Sequence, residues 1–149
     1  MDTSSAISGR RAGTIVVARV ATGIVLACFG FWELTAPTQW TGYVPHVAAA
    51  AFSPVRLILV HGWVLFVLAA AALVDFAGAV TSWIAVAVMA EVVVGLLATS
   101  GFTDILVRDV GLLALALVWA LETQSERQWS PAPSDGSART RGRRRTVVP

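Results

Sequence analysis

Long apolar runs alternate along the chain with short polar interruptions, and crossing a bilayer as a helix takes about 20 apolar residues. After a polar segment, 1–11, that ends in Arg10 and Arg11, residues 12–34 hold only Arg19, Glu33 and Cys28 as ionisable groups. This run predicts a first membrane span; the apolar part of a cleaved signal peptide is shorter, about 7–15 residues. Three prolines, Pro37, Pro45 and Pro54, then break the backbone, while Trp40, Tyr43 and Phe52 suit the headgroup layer. Residues 55–74 form a second run, and 75–78 is long enough only for a tight turn between antiparallel helices. A third run covers 79–99, Ser100 and Gly101 punctuate it, and a fourth covers 105–121 with Arg108 and Asp109 near its start.

The fold class predicted is all-α: an integral membrane four-helix transmembrane bundle with an N-terminal segment 1–11 and an Arg-rich tail, 122–149. The tail is dominated by Ser, Pro, Gly and Arg, a composition that cannot bury a core and predicts disorder. Composition supports the membrane assignment: 56% of residues are apolar, 13% are charged and the mean hydropathy is +0.73. A soluble domain carries about a quarter charged residues. The positive charges of Arg10, Arg11 and the tail flank an even number of spans, so both termini are expected in the cytoplasm. All 11 basic residues are Arg, as expected of a GC-rich bacterial genome and hence of a bacterial plasma (inner) membrane. Their concentration in one tail argues against nucleic acid as a partner and suits contact with anionic lipid. A single cysteine, Cys28, excludes an internal disulfide and a paired-thiol redox centre; no metal site is expected, at His46 or elsewhere.

An ionisable side chain inside a span costs about 2.5–3.5 kcal/mol, so each should face protein or water. With a rise of about 1.5 Å per residue, His61 lies about 21 Å from the turn at Asp75, and Arg108 about 21 Å from Glu122. Glu91 lies about 18 Å from Ala79, within one turn of that level. His61, Glu91, Arg108 and Asp109 thus form a candidate polar or ligand-binding layer, with Arg19, Glu33 and Asp104 supporting. By the same count Glu33 reaches the outer boundary, about 31 Å from Ala12, and Arg19 snorkels to the cytoplasmic headgroups. The stripe Ala87, Glu91, Gly95, Ala98 predicts that Glu91 points into the bundle. Asp104 and Arg108, four residues apart, are expected to pair and leave Asp109 for another helix. For each of these groups a purely structural bond competes with proton handling or ligand binding.

Arg19, Gly23, Phe29, Gly30 and Glu33-Leu34, followed by Pro37 and Tyr43-Val44-Pro45, resemble the opening of DoxX-type membrane proteins. Phe102-Thr103-Asp104-Ile105 and Val107-Arg108-Asp109-Val110-Gly111-Leu112-Leu113 resemble that family's closing segment, so the resemblance covers about residues 15–121. It implies a four-helix membrane bundle and a link to redox complexes, since the family name comes from a subunit of a thiosulfate:quinone oxidoreductase. The sequence has no haem-ligating pair of histidines in its spans, no flavin-binding glycine loop and no vicinal cysteines. The function expected is therefore a quinone-associated subunit with no intrinsic cofactor, partnered by the bilayer and a redox enzyme. The alternative is a non-enzymatic scaffold or assembly factor for another membrane protein; oligomers suit either. A small transporter fits less well, because no broken-helix pair or inverted repeat is evident.

Overall fold

The computed structural model describes residues 3–129, and side chains from residue 12 to residue 126. Over these residues the chain is helical, with no strand among them. Helix α1 is Thr3–Thr35; a 3-10 segment, Pro37–Tyr43, and the short α2, His46–Ala51, lead to α3, Pro54–Leu73. Helix α4 is Gly78–Ser100 and α5 is Asp104–Trp129. Three stretches are long and apolar enough to cross a membrane: Ala12–Thr35, Pro54–Leu73 and Gly78–Ser100. They make the chain a multi-pass membrane protein, and their limits lie within a residue of those predicted from hydropathy. Helix α1 begins nine residues before its apolar run, and α5 continues through residues 122–129, which the composition had assigned to the tail. Residues 130–149, with the arginine cluster, lie outside the described residues.

Local signals set the helix ends. Pro54 opens α3 at a position whose N–H would lack a partner in any case. At the other end of α3, Phe76 N–H donates to Ala71 O and Asp75 N–H to Ala72 O, with Asp75 left-handed at φ 59°. That is a Schellman motif, and Asp is one of the few side chains that tolerate the left-handed region. Gly101, at φ 69° and ψ −149°, ends α4 in a conformation open to glycine alone. Thr103 Oγ1 then accepts from Leu106 N–H at 3.2 Å and caps α5.

Helix α1 packs chiefly along α3 and then on α5, and α4 packs chiefly on α5; α3 and α4, although joined by the turn, touch sparsely. Leu26, Leu65, Met89 and Trp119 fill the centre, with Ala18, Ala69, Ala72, Ala85 and Ala116 letting the helices approach. The α1–α3 seam is held by three glycines. A Cβ on Gly30 would lie 2.8 Å from Gly62 O and 2.9 Å from Phe66 N, and one on Gly23 would meet the Leu73 side chain at 3.0 Å.

Arg19 closes one end of this seam. Its Nη1 donates to Ala72 O at 3.1 Å and lies 3.3 Å from Asp75 Oδ1, so it satisfies a carbonyl at the C-terminal end of α3. The guanidinium is turned onto protein, where snorkelling to headgroups had been expected. Arg19→Gln removes the charge from a pair whose carboxylate is well exposed, and should cost about 1 kcal/mol. Thermal unfolding in detergent reads this as a drop of a few degrees, which Arg19→Lys partly restores.

Candidate functional site

The other end of the seam carries a second polar pair. Arg19 and Glu33 are fourteen residues apart on α1, and His61 and Asp75 are fourteen apart antiparallel to them. Fourteen residues is close to four helical turns, so each pair of positions returns to nearly the same face. With Arg19 level with Asp75, Glu33 comes level with His61. Glu33 Oε2 lies 2.8 Å from His61 Nδ1, and the Glu33 side chain is only 7% exposed. The count that placed Glu33 at the outer boundary started from Ala12, as though α1 were flush with the turn. Residues 12–18 instead extend past it, and Glu33 belongs inside the polar layer.

Glycine packing makes this bond possible. A Cβ on Gly62, the residue after His61, would lie 3.1 Å from Glu33 Cβ and 3.2 Å from Gly30 O. With Nδ1 donating to the Glu33 carboxylate, Nε2 is left as a lone pair on a neutral ring, or as a second N–H on a charged one. Nε2 is buried with no hydrogen bond, and Glu91 Oε2 lies 3.8 Å away, beyond bonding range. Glu33, His61 and Glu91 therefore form a line of acid, imidazole and acid across α1, α3 and α4. The predicted meeting of His61 and Glu91 at one depth agrees with this placement.

Glu91 faces in the opposite direction to the one expected. Its side chain is 72% exposed. Ala87 and Ala98 on the same stripe are exposed too, and an added Cβ on Gly95 would meet nothing within 4 Å. The face of α4 turned inward is Ser82, Ala85, Met89 and Leu96. Small residues on the outer stripe are thus not spent on packing within the chain.

Arg108 and Asp109 form a neighbouring group. Arg108 Nε donates to Asp109 Oδ1 at 2.8 Å, so the buried Asp109 is paired with the preceding residue, and Asp104 is not the partner. The guanidinium carbon stands 5.0 Å from the centre of the Phe29 ring, a cation–π contact that ties α5 to α1. Phe29 meets Trp40 edge-on at 6.0 Å, and Trp40 also contacts Trp32 at 5.8 Å and Tyr43 at 6.0 Å. This aromatic cluster was not anticipated as part of the site: the 3-10 segment folds back on α1, which spacing alone does not reveal. Trp40 Nε1 is the second buried nitrogen here without a hydrogen-bond partner. Phe29, Trp32 and Glu33 lie on the last turns of α1, so Glu33 and the aromatic cluster share one end of that helix. No three His, Cys, Asp or Glu side chains among the described residues are grouped to hold a metal ion. No family model, curated protein or solved structure matches the chain.

Proposed function

We propose that the chain is a membrane subunit that binds the headgroup of a quinone at the line Glu33, His61, Glu91, beside Arg108 and the Trp40 cluster. The observation that carries this reading is the His61 imidazole, fixed by Glu33 through Nδ1 and presenting an unbonded Nε2 toward Glu91. A buried polar atom without a partner is costly unless something binds it, at about 1–3 kcal/mol. A quinone supplies electron and proton transfer when bound, and its carbonyl oxygens suit N–H donors such as those of His61, Trp40 and Arg108. Glu33 orients the ring, His61 holds or releases a proton at Nε2, and Glu91 is placed to exchange one with it. The Phe29, Trp32 and Trp40 rings offer flat faces for stacking. The resemblance to DoxX-type proteins supports the link to a redox complex. With no redox centre of its own in the sequence, the chain would work beside a partner that supplies electrons.

In this reading α5 is the fourth span. Its apolar stretch, 105–121, is about 26 Å long, and Arg108 neutralises the buried Asp109. Both termini then share one side, and Arg10, Arg11 and the arginines of the tail support the cytoplasmic side for it.

Mass spectrometry of the protein taken with native lipid into nanodiscs tests the reading. About one quinone per chain is expected, absent when Glu33→Leu is combined with His61→Leu so that no carboxylate is left buried alone, and bound at least about tenfold more weakly in Arg108→Gln, the effect of losing a charged hydrogen bond. Quinone at the level of the bulk lipid in the unaltered protein overturns it. The exposed Glu91 favours a second reading, a scaffold on which another membrane protein covers α4; stable recovery of such a complex without quinone would support it.

A further inference from the structure

The polar line does not end inside the protein: its last member opens sideways. Glu91 lies halfway along α4 and is 72% exposed, on the side where α3 and α4 touch sparsely. One turn further on, Gly95 has open space where a side chain would stand. Val64, one turn from His61, and Ile84 and Val94, on the outer face of α4, are exposed and apolar. An ionised carboxylate facing hydrocarbon at this depth costs about 2.5–3.5 kcal/mol, so Glu91 requires a polar companion. The nearest candidate, His61 Nε2, stands 3.8 Å away and has no hydrogen bond of its own. A hydroxyl placed between the two would donate to the Glu91 carboxylate and accept from Nε2–H of a charged ring, while the exposed apolar side chains around it suit an alkyl chain.

We infer that the site loads from the lipid phase, along the sparse contact between α3 and α4, and that its ligand is a bilayer-dissolved molecule with an oxygen-bearing headgroup and an apolar tail. This rests on the reading of the polar line as a ligand site and adds the route and the tail.

A nitroxide on Gly95→Cys, in a Cys28→Ser background in nanodiscs, tests the inference by its collisions with oxygen, which concentrates in lipid, and with a water-soluble nickel chelate. The expected result is the same oxygen-to-nickel ratio as a label on Val60→Cys, an exposed position on α3. Adding a quinone with a ten-carbon tail should then lower oxygen collisions at position 95, and not in a background carrying Glu33→Leu with His61→Leu. A label at Val94→Cys repeats the measurement should the one at 95 disturb that contact. Nickel access in place of oxygen means an aqueous route, and protection from both means that protein covers the face; either overturns lateral loading while leaving quinone binding to be judged by mass spectrometry. Oxygen access that quinone does not change, in protein shown to bind quinone, also overturns it.

Discussion

Gly30→Val should separate α1 from α3 and destabilise the protein by about 3 kcal/mol, the upper part of the range for overpacking. The reason is geometric. The first atom of any side chain at Gly30 falls 2.8 Å from the carbonyl oxygen of Gly62 and 2.9 Å from the nitrogen of Phe66, and backbone in mid-helix cannot rotate away as a side-chain tip can. The helices must move apart, and the bond between Glu33 and His61, formed at the same crossing, goes with them. Gly30→Ala should show a smaller effect of the same sign. Gly111→Ala is the control: an added Cβ there meets nothing within 4 Å, and Ala is the better helix former by about 1 kcal/mol. Thermal unfolding in detergent, followed by far-ultraviolet circular dichroism, should lower the midpoint in the Gly30 variants and leave or raise it in Gly111→Ala. Equal midpoints for Gly30→Val and Gly111→Ala would mean that the helices do not cross at Gly30.

His61→Ala should be more damaging still, at about 3–5 kcal/mol, because it leaves the Glu33 carboxylate buried without a partner. The Glu33 side chain is only 7% exposed, so little water reaches it in place of the imidazole. Replacing both members, Glu33→Leu with His61→Leu, should restore stability to near that of the unaltered protein, since a well-packed apolar pair often matches or exceeds a buried polar one. Glu91→Gln should change stability little, because that side chain is exposed. The three variants separate structure from function: His61→Ala loses both, the double variant keeps the fold and loses ligand, and Glu91→Gln keeps the fold and weakens ligand. Chemical unfolding in mixed micelles measures the first property and bound quinone per chain the second. A double variant as unstable as His61→Ala would show that the layer does not depend on this pairing.

The first three spans were legible because water-to-lipid transfer acts on whole runs of residues, and the run limits need no knowledge of packing. The depth of His61 and Glu91 was legible for a similar reason: both are counted from the same short turn. Glu33 was misplaced because α1 has no such common origin with α3. Only the contact of Arg19 with Ala72 and Asp75 fixes the offset. The direction of Glu91 was hidden for a different reason. Lipid tails are as apolar as a helix interface, so hydrophobicity does not separate inside from outside in a membrane, and small residues occur on both faces of α4. Ser82 and Ala85 turn inward, Ala87 and Gly95 outward, and nothing in their spacing decides between them. The pairing of Arg108 escaped the rule of four because a long side chain at a helix start can bend to its neighbour, and Phe29 holds it there.

His61 is bound through Nδ1 to Glu33 across the α1–α3 seam, and the polar line depends on that bond. The chain has two histidines, and His46 lies exposed on α2, so His46→Gln leaves a single imidazole to observe. Nitrogen–carbon dipolar recoupling in bilayers, on protein with 15N-labelled histidine and 13C-labelled glutamate carboxyls, measures the contact directly. A carboxyl carbon within about 4 Å of Nδ1 is predicted from a hydrogen bond of ordinary length; the coupling should disappear in Glu33→Gln and persist in Glu91→Gln. A coupling absent from the outset, or one that survives Glu33→Gln, would contradict it.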